Sequence, residues 1–336
     1  MKQKILLGID GGGTYIRVAV TDQQGKLLAY VNKKGSSAPS KDANAKENLY
    51  DAVCEAVNKA GVELDNITHM TAGLAGLDSD SDMEWVKDLT GAIGLKCSIT
   101  HVNDAVPAHF GAFLSLDNIS NNSTEFTPGI MAISGTGSIV FGINETGRHI
   151  RNYDYHHYAY SAARFLAYEA VYKTIAGETD ESDEKLVSAI LEYFTAKDLP
   201  ALSELGAAGF DPDYRIRDER FGRLAPAVTA AALNGSALAQ EICNNAAGQI
   251  LTGIKLVGSR FESSTVKLAL MGSVLNSQYI NDKIAGDINS GANKEYILCK
   301  PTLPAAFGAA AISMQSSGIA LSQQILNNLK YGAEFI

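Results

Sequence analysis

The chain has 336 residues, which is long enough for two domains of ordinary size, each with its own core. Hydrophobic residues make up 46% and charged residues 19%, a composition typical of globular proteins that excludes a largely disordered chain. The 28 Lys and Arg against 37 Asp and Glu give a formal net charge of −9, and no basic run occurs. We therefore expect neither nucleic acid nor an anionic membrane as a partner.

The sequence also carries no pattern typical of membrane insertion, secretion or disulfide bonding. No apolar stretch approaches the length of a membrane span, and residues 1–4 lead into a strand without a signal-peptide core. Cys54, Cys97, Cys243 and Cys299 are scattered, with no Cys-x-x-Cys spacing. They indicate reduced, mostly packed thiols, so we expect a cytoplasmic protein.

A glycine turn near the N-terminus joins two predicted strands. An apolar run ends in the carboxylate of Asp10, three glycines follow, and Thr14 opens a second, β-branched run to Val20. A dinucleotide fingerprint needs a helix and a further glycine here, and a Walker P-loop needs Gly-Lys-Ser/Thr, so neither pattern fits. A hairpin remains, whose uncovered backbone N–H groups suit phosphate oxygens. A glycine-rich hairpin without a ligand is the alternative.

The next part of the chain alternates predicted strands, helices and polar loops. Residues 27–31 form a third strand, which makes an antiparallel start to a sheet, and residues 43–60 and 82–92 form helices. The loop at residues 35–40 is rich in small hydroxyl side chains. It either meets a polar ligand or is a solvated connector. Residues 70–76 end a strand and enter a loop, where two glycines permit backbone conformations that other residues rarely adopt.

Asp104 follows a predicted strand at residues 97–102 and precedes a small-residue helix that begins at Ala105. In open α/β sheets the carboxyl ends of the strands face the ligand crevice, so Asp104 lies where reacting groups tend to be. Its other interpretation is the N-cap of the helix. The two roles do not exclude each other for one side chain.

The hairpin pattern recurs after a polar, turn-rich segment at residues 116–128, which is the best candidate for a domain boundary. The run from Ile9 to Thr14 matches the run from Ile133 to Ser138, where Ser134 takes the place of Asp10. A repeat at this distance predicts two similar domains, each with one glycine hairpin. Two such hairpins are hard to explain as coincidence, so the repeat favours two facing phosphate-binding turns over hairpins without a ligand.

The second half of the chain is rich in helix patterns. Predicted helices cover residues 158–176, 183–194, 198–205, 221–233 and 237–259. A buried strand at residues 266–271 ends in Gly272 and Ser273, which can lie flat against an adenine or a ribose. A last strand at residues 296–300, a small-residue helix at 304–312 and a terminal helix at 322–329 close the chain.

Five segments in a fixed order now resemble a known superfamily: residues 10–14, 103–105, 134–138, 272–274 and 304–310. They resemble the actin/hexokinase/Hsp70 ATPases, and within them the N-acetylglucosamine kinase branch and the related BadF/BadG/BcrA/BcrD ATPases. The resemblance covers nearly the whole chain and implies an α/β protein of two ribonuclease-H-like domains around an ATP cleft. Residues 1–117 would form the first domain, with a terminal helix at about 316–336 crossing back to it. Residues 118–315 would form the second.

The resemblance also implies which residues meet each ligand. Asp10 would reach Mg²⁺, and Asp104 would accept the proton of a sugar hydroxyl that attacks the γ-phosphoryl group of ATP. An ordinary aspartate pKa suffices, because positioning and charge neutralisation do most of the work in phosphoryl transfer. The cofactor-binding set would be Asp10, Gly11, Gly12, Gly13, Thr14, Gly135, Thr136, Gly137, Ser138, Gly272 and Ser273. The sugar-contacting set would be Ser36, Ser37, Gly73, Ala75, Gly76, Asn103, Asp104, Thr136 and Asp154.

The chain departs from the kinase branch at residues 148–162. Sugar kinases of that branch carry Gly-Trp-Gly and then Gly-Asp-Glu-Gly-Ser there, whereas this segment has no tryptophan and no Asp-Glu-Gly. Asp154, His156 or His157 could substitute, with tyrosines stacking on a sugar face, or the segment is a surface between domains. We do not expect a metal site at the two histidines, which have no paired carboxylates or cysteine nearby in the sequence.

Three functions follow from the resemblance. The leading one is an ATP- and Mg²⁺-dependent kinase acting, as a homodimer, on an amino sugar such as N-acetylglucosamine, glucosamine or a muramic acid derivative. An activator ATPase of the BadF type would need cysteines that hold an iron–sulfur cluster between subunits, and the scattered cysteines disfavour it. A non-catalytic sugar sensor is the third; repressors of related fold carry a DNA-binding segment ahead of the first strand, which begins here at about Ile5.

Overall fold

In a computed structural model that describes residues 3–115 and 126–336, the chain divides into two compact units. The first unit comprises Met1–Thr127 and Lys300–Ile336, and the second comprises Pro128–Cys299. Each unit is built on one five-stranded sheet with helices packed against it. Within the described ranges, no helix combines the length and the apolar character needed to cross a membrane.

The first sheet has the strand order β3-β2-β1-β4-β5. Its strands are β1 (Ile5–Gly11), β2 (Tyr15–Asp22), β3 (Leu27–Lys34), β4 (Ile67–Leu74) and β5 (Ser98–Asn103). β1, β2 and β3 pair antiparallel, whereas β4 and β5 run parallel to β1. Nearly every residue of β1 is buried, because the strand is central and covered on both faces.

The second sheet has the order β10-β9-β6-β7-β8. Its strands are β6 (Gly129–Ser134), β7 (Ser138–Ile143), β8 (His149–Arg151), β9 (Thr265–Met271) and β10 (Glu295–Leu298). β6 pairs antiparallel with β7 and parallel with β9, as β1 does with β2 and β4. The two sheets therefore share one topology, and the predicted repeat of two similar α/β domains is confirmed.

The helices are numbered along the described chain. They are α1 (Ala45–Lys59), α2 (Met83–Gly91), α3 (Ala105–Phe113), α4 (Ala163–Ala176), α5 (Glu184–Phe194), α6 (Leu199–Ala207), α7 (Tyr214–Leu233), α8 (Ala237–Gly258), α9 (Gln278–Asp287), α10 (Ala305–Ser316) and α11 (Gln323–Ala333). In the first unit α1 packs on β2 and β3, and α10 packs on β1 and β4. In the second unit α8 packs on β6 and β7.

Most predicted elements are present, and the largest differences lie where local pattern competes with tertiary packing. The helix predicted from residue 158 begins at Ala163, after irregular backbone. The helix predicted from residue 221 begins at Tyr214, because Asp213 caps it by accepting the Arg215 N–H. α9 was not predicted.

The units also differ from the domain boundaries expected at residues 118 and 316. The chain changes unit at Pro128 and returns to the first unit at Lys300. The earlier return follows from α10, whose Ser313 hydroxyl donates to the Leu7 carbonyl of β1 at 2.9 Å. The segment expected to form the boundary, residues 116–128, lies mostly outside the described residues.

Candidate active site

Asp10 lies near the end of β1, in register with Arg17 on β2 and with Gly73 on β4. The Arg17 guanidinium donates to Asp10 Oδ2 at 2.9 Å. Burial raises the pKa of Asp10 above its usual range, and the charge of Arg17 acts in the opposite direction. A largely buried carboxylate with a raised pKa is a favourable place for a further cation.

The turn after Asp10 has fewer available N–H groups than expected. The Gly12 N–H donates to the Tyr15 carbonyl at 3.0 Å and closes the hairpin. The prediction that the Gly12 amide binds phosphate is therefore corrected. Within the described residues, neither Gly13 nor Thr14 donates its N–H to another protein atom. Those two are the N–H groups of the turn that can meet an anion.

The predicted sugar contacts Ser36 and Ser37 form hydrogen bonds within the protein. Both side chains are buried. The Ser37 hydroxyl donates to the Gly11 carbonyl at 2.5 Å, and the Ser36 hydroxyl accepts the Ala38 N–H at 3.0 Å. The Ser37 bond fixes the loop against the glycine turn and uses the Ser37 hydroxyl proton, which corrects its expected contact with a sugar. The Ser36 bond closes a local turn, and the contact of Ser36 with a sugar stays a prediction.

Asp104 lies between β5 and α3, and Asn103 has taken over the capping role. Asn103 Oδ1 accepts the Ala105 N–H at 2.9 Å, while the Asp104 side chain makes no capping hydrogen bond. Asn103 also donates to the Leu77 carbonyl at 3.2 Å, so its expected contact with a sugar is corrected to a structural role. The capping bond of α3 is therefore made by Asn103, and the role of Asp104 as a base stays a prediction.

The surroundings of Asp104 raise its pKa to about 6. Burial is the largest cause, and the negative charges of Asp10 and Asp78 add to it. A hydrogen bond from the Ala105 N–H and the charge of Lys41 act in the opposite direction. An ordinary pKa was expected, and the difference shows that Asp10 and Asp104 lie in one electrostatic neighbourhood. A carboxyl group with such a pKa is a suitable general base near neutral pH.

Three further predicted sugar contacts lie at or just after the end of β4 and have structural explanations. A Cβ atom at Gly73 would overlap the ring of Pro107 in α3, so glycine permits this close packing. The Ala75 N–H donates to the Gly11 carbonyl at 2.9 Å. Gly76 has φ of +89°, a left-handed conformation that favours glycine. These residues shape the edge on which Asp10 lies.

The glycine turn of the second unit is closed in a similar way. The Gly135 N–H donates to the Gly137 carbonyl at 2.9 Å, which corrects the expected role of the Gly135 amide as a phosphate donor. The Ser138 hydroxyl pairs with the Ser161 hydroxyl at 2.7 Å. Arg164, which sequence patterns did not single out, donates to the Thr136 carbonyl at 3.1 Å.

The segment predicted to border the nucleoside lies directly beside this turn. Gly272 has φ of +91°, and a Cβ atom there would overlap the Ser134 backbone. The Val274 N–H donates to the Ser134 carbonyl at 3.0 Å. The structure therefore brings together Gly272, Ser273 and the turn at Gly135.

Asp154 is engaged in local structure. Its carboxylate accepts the Arg151 N–H at 2.8 Å and the Arg151 Nε–H at 3.2 Å, which closes the short helical turn Asn152–Tyr155. The expected contact of Asp154 with a sugar is corrected to this capping role. Across residues 3–115 and 126–336, no group of three or more His, Cys, Asp or Glu could hold a metal.

Asp10 nevertheless fits a magnesium ion that arrives with a nucleotide. Mg²⁺ in phosphoryl-transfer sites takes one or two carboxylates and completes its octahedron with phosphates and water. Asp10 supplies one carboxylate beside the glycine turn, and its Oδ2 is the atom paired with Arg17. Burial raises the pKa of Asp10 despite Arg17, so a second cation would stabilise its ionised form. Arg17 could have been identified from sequence, because the hairpin register places it opposite Asp10.

The chain is similar to known sugar kinases. An N-acetylmuramic acid/N-acetylglucosamine kinase from Clostridium acetobutylicum is 26% identical over 314 residues, which cover 92% of this chain and 98% of that protein. The glucosamine kinase GspK from Vibrio cholerae is 29% identical over 132 residues, 39% of this chain and 41% of that protein.

A similar solved structure is that of a Chromobacterium violaceum protein assigned as an N-acetylglucosamine kinase. It has a TM-score of 0.69 at 20% identity, with coverage of 93% of this chain and 99% of that one, and it supports the fold. The sequence profile of the BadF/BadG/BcrA/BcrD ATPase family matches residues 7–313. Since that match spans most of the chain, the protein belongs to the BadF/BadG/BcrA/BcrD ATPase family.

Proposed function

We propose that this protein is an ATP-dependent kinase that phosphorylates a hydroxyl group of an amino sugar, such as N-acetylglucosamine, glucosamine or a muramic acid derivative. The observation that carries the proposal is the half-buried Asp104 carboxylate between β5 and α3, which has a raised pKa and makes no side-chain capping hydrogen bond. The kinase activity named for the Clostridium acetobutylicum relative, which aligns over nearly its whole length, supports the same conclusion.

The nucleotide roles follow from the available groups of each unit. In the first unit the Gly13 and Thr14 N–H groups bind phosphate oxygens, and Asp10 would hold a magnesium ion that comes with the nucleotide. In the second unit Thr136 and Gly137 bind phosphate, while Gly272 and Ser273 border the adenosine. The bound magnesium ion supplies charge neutralisation at the β- and γ-phosphates.

Asp104 acts as the general base of the transfer. Its carboxylate accepts the proton of the acceptor hydroxyl as the hydroxyl oxygen forms a bond to the γ-phosphorus. The bond from that phosphorus to the β,γ-bridging oxygen breaks, and ADP leaves. Since the transition state is loose, Asp104 contributes mainly by orienting the hydroxyl and by taking its proton.

Location and assembly complete the proposal. The reduced cysteines expected from their spacing support a cytoplasmic enzyme. The four cysteines carry no disulfide in the structure, and Cys243 is buried. A homodimer is proposed from the resemblance to sugar kinases. Residues 148–162 lack the sugar-binding motifs of the kinase branch, so the proposal names a class of amino sugars and not one compound.

An ADP-release screen tests the function directly. We expect sugar-dependent ADP release with one or more of N-acetylglucosamine, glucosamine and N-acetylmuramic acid, and loss of release when EDTA removes Mg²⁺. Reactions without sugar and with glucose alone are the controls. Rapid ADP release that no sugar stimulates would favour the activator-type ATPase instead, and ATP or sugar binding without any turnover would favour a sensor.

The pH dependence of turnover gives a second test. Asp104 must be ionised to act as a base, so protonation below its pKa of about 6 removes activity. We expect kcat/KM to fall about tenfold per pH unit on the acidic side of this value and to be level above it. Burial sets this value first, followed by the charge of Asp10, the Ala105 N–H, and the charges of Asp78 and Lys41. A level profile down to about pH 4, the ordinary aspartate range, would contradict the raised pKa of Asp104.

A further inference from the structure

Lys41 lies against the glycine turn of the first unit. A Cβ atom built on Gly13 would be 2.9 Å from Lys41 Nζ, 3.4 Å from its Cδ and 3.7 Å from its Cε. The end of the lysine side chain thus covers the bare backbone of Gly13. Its ammonium group lies at the same residue whose N–H group is available to an anion.

Hydrogen bonds join the loop that contains Lys41 to the glycine turn. The Lys41 N–H donates to the Ala38 carbonyl at 2.9 Å, and the Ser37 N–H donates to the Gly12 carbonyl at 3.3 Å. The Gly35 N–H donates to the Thr14 carbonyl at 2.9 Å. The loop and the turn are therefore one hydrogen-bonded element, and Lys41 keeps its place relative to Gly13 while its side chain is exposed.

The charges nearby give this lysine a specific task. Asp10, Asp78 and Asp104 place negative charge in the neighbourhood, and Arg17 is paired with Asp10. A nucleotide triphosphate would bring further negative charge to the same turn. Lys41 is close enough to influence Asp104 electrostatically and also lies on the turn. A cation at this position can neutralise negative charge on the phosphoryl group that is transferred.

We propose that Lys41 is a catalytic residue whose ammonium group binds the γ-phosphoryl oxygens of ATP over Gly13. In the transfer the acceptor oxygen bonds to phosphorus, the bridging oxygen leaves with ADP, and the proton goes to Asp104. Lys41 holds the transferred group in line and stabilises its charge, as preorganised cations do in phosphoryl-transfer sites. This inference rests on the proposed kinase function for the rate, but its binding test does not need turnover.

The test compares Lys41→Met and Lys41→Arg with Lys46→Met. Lys46 is a matched control, because it is exposed on the neighbouring helix α1 and pairs with Asp88 at 2.8 Å. For each variant, kcat and KM for the sugar, the Kd values of ATP and ADP, and the Tm are measured. Lys41→Met should lower kcat about 100- to 1,000-fold, Lys41→Arg should retain part of the rate, and Lys46→Met should stay within about twofold.

The nucleotide affinities separate this role from a structural one. Lys41→Met should weaken ATP binding at least about tenfold more than ADP binding, because only ATP carries the γ-phosphoryl group. Gly13→Ala should show the same pattern, because its methyl group displaces the lysine end while the turn remains folded. Unchanged ATP-to-ADP discrimination in Lys41→Met would overturn the proposal, as would a loss confined to the KM of the sugar.

Failure of the kinase proposal would look different. If no sugar stimulates ADP release from the unmodified protein, the proposed function is wrong. The selective loss of ATP affinity in Lys41→Met would still assign the lysine to the γ-phosphoryl group. If turnover is present and discrimination between ATP and ADP does not change, the kinase stands and the lysine assignment fails.

Discussion

Replacing Asp104 with Asn is expected to abolish sugar-dependent ADP release while it stabilises the fold. Asn keeps the size and shape of the side chain but cannot accept the hydroxyl proton. We expect kcat to fall about 100- to 10,000-fold, the range in which general bases contribute. ATP affinity should change little, because the Gly13 and Thr14 N–H groups remain. Turnover and nucleotide titration measure the two effects separately.

The gain in stability follows from the raised pKa of Asp104. Burial and neighbouring negative charge raise it from 3.8 to about 6, so the folded protein disfavours the ionised form. The contribution of this group to stability is complete below the unfolded pKa and is lost as pH rises through the folded pKa. A shift of this size corresponds to at most about 3 kcal/mol, and partial exposure reduces it to about 1–2 kcal/mol.

Asn carries no charge at any pH, so its advantage over Asp should appear only where Asp is ionised. We expect the Tm of Asp104→Asn to exceed that of the unmodified protein by about 2–5 °C at about pH 8. The difference should vanish at about pH 4. Asp88→Asn is the matched control, because Asp88 is exposed and paired with Lys46. Full turnover in Asp104→Asn would contradict the base, and a lowered Tm at pH 8 would contradict the electrostatic account.

The features that sequence predicted well are those with a local periodic signal. The two glycine hairpins have apolar, β-branched runs on both sides of the turn, and such patterns fix strands and turn together. Their recurrence then predicted two sheets of the same order, which the structure contains. The position of Asp104 at a strand end was predicted correctly for the same reason, because it depends on neighbours in sequence.

The predictions that failed depend on hydrogen bonds that sequence spacing does not encode. Gly12 looked like a phosphate donor, yet its N–H closes the turn on Tyr15. Ser37 looked like a ligand for a sugar, yet its hydroxyl supports the Gly11 carbonyl. In each case a polar group near a site was assigned to the ligand, whereas in the structure it forms a hydrogen bond with a backbone group of the same loop region.

Lys41 shows a further limit of sequence analysis. It lies in a polar loop among residues that suit a solvated connector, and nothing in its spacing points to Gly13. The contact arises because the loop is tied to the turn by hydrogen bonds from Gly35 and Ser37. Tertiary contacts of this kind decide which surface cation becomes part of a site.

A second large effect is expected at Gly8, in the middle of β1. Gly8 is buried, and a Cβ atom there would overlap the Ala306 carbonyl oxygen and the Ala310 nitrogen of α10. Both are backbone atoms, so no side-chain rotation can relieve the overlap. α10 would have to move away from the sheet, which would also strain the bond from the Ser313 hydroxyl to the Leu7 carbonyl.

Gly8→Ala should therefore lower the free energy of unfolding by about 2–4 kcal/mol, and the Tm by about 5–10 °C. Gly91→Ala is the control, because a Cβ atom at the end of α2 meets no atom within 4 Å. It should leave stability unchanged or raise it by up to about 1 kcal/mol.

Because Asp10 is two residues after Gly8 on the same strand, turnover in Gly8→Ala should fall even at temperatures below its Tm. Denaturant unfolding and kinetics at low temperature measure both effects, and a Gly8→Ala protein as stable as Gly91→Ala would refute the close packing of α10 on β1.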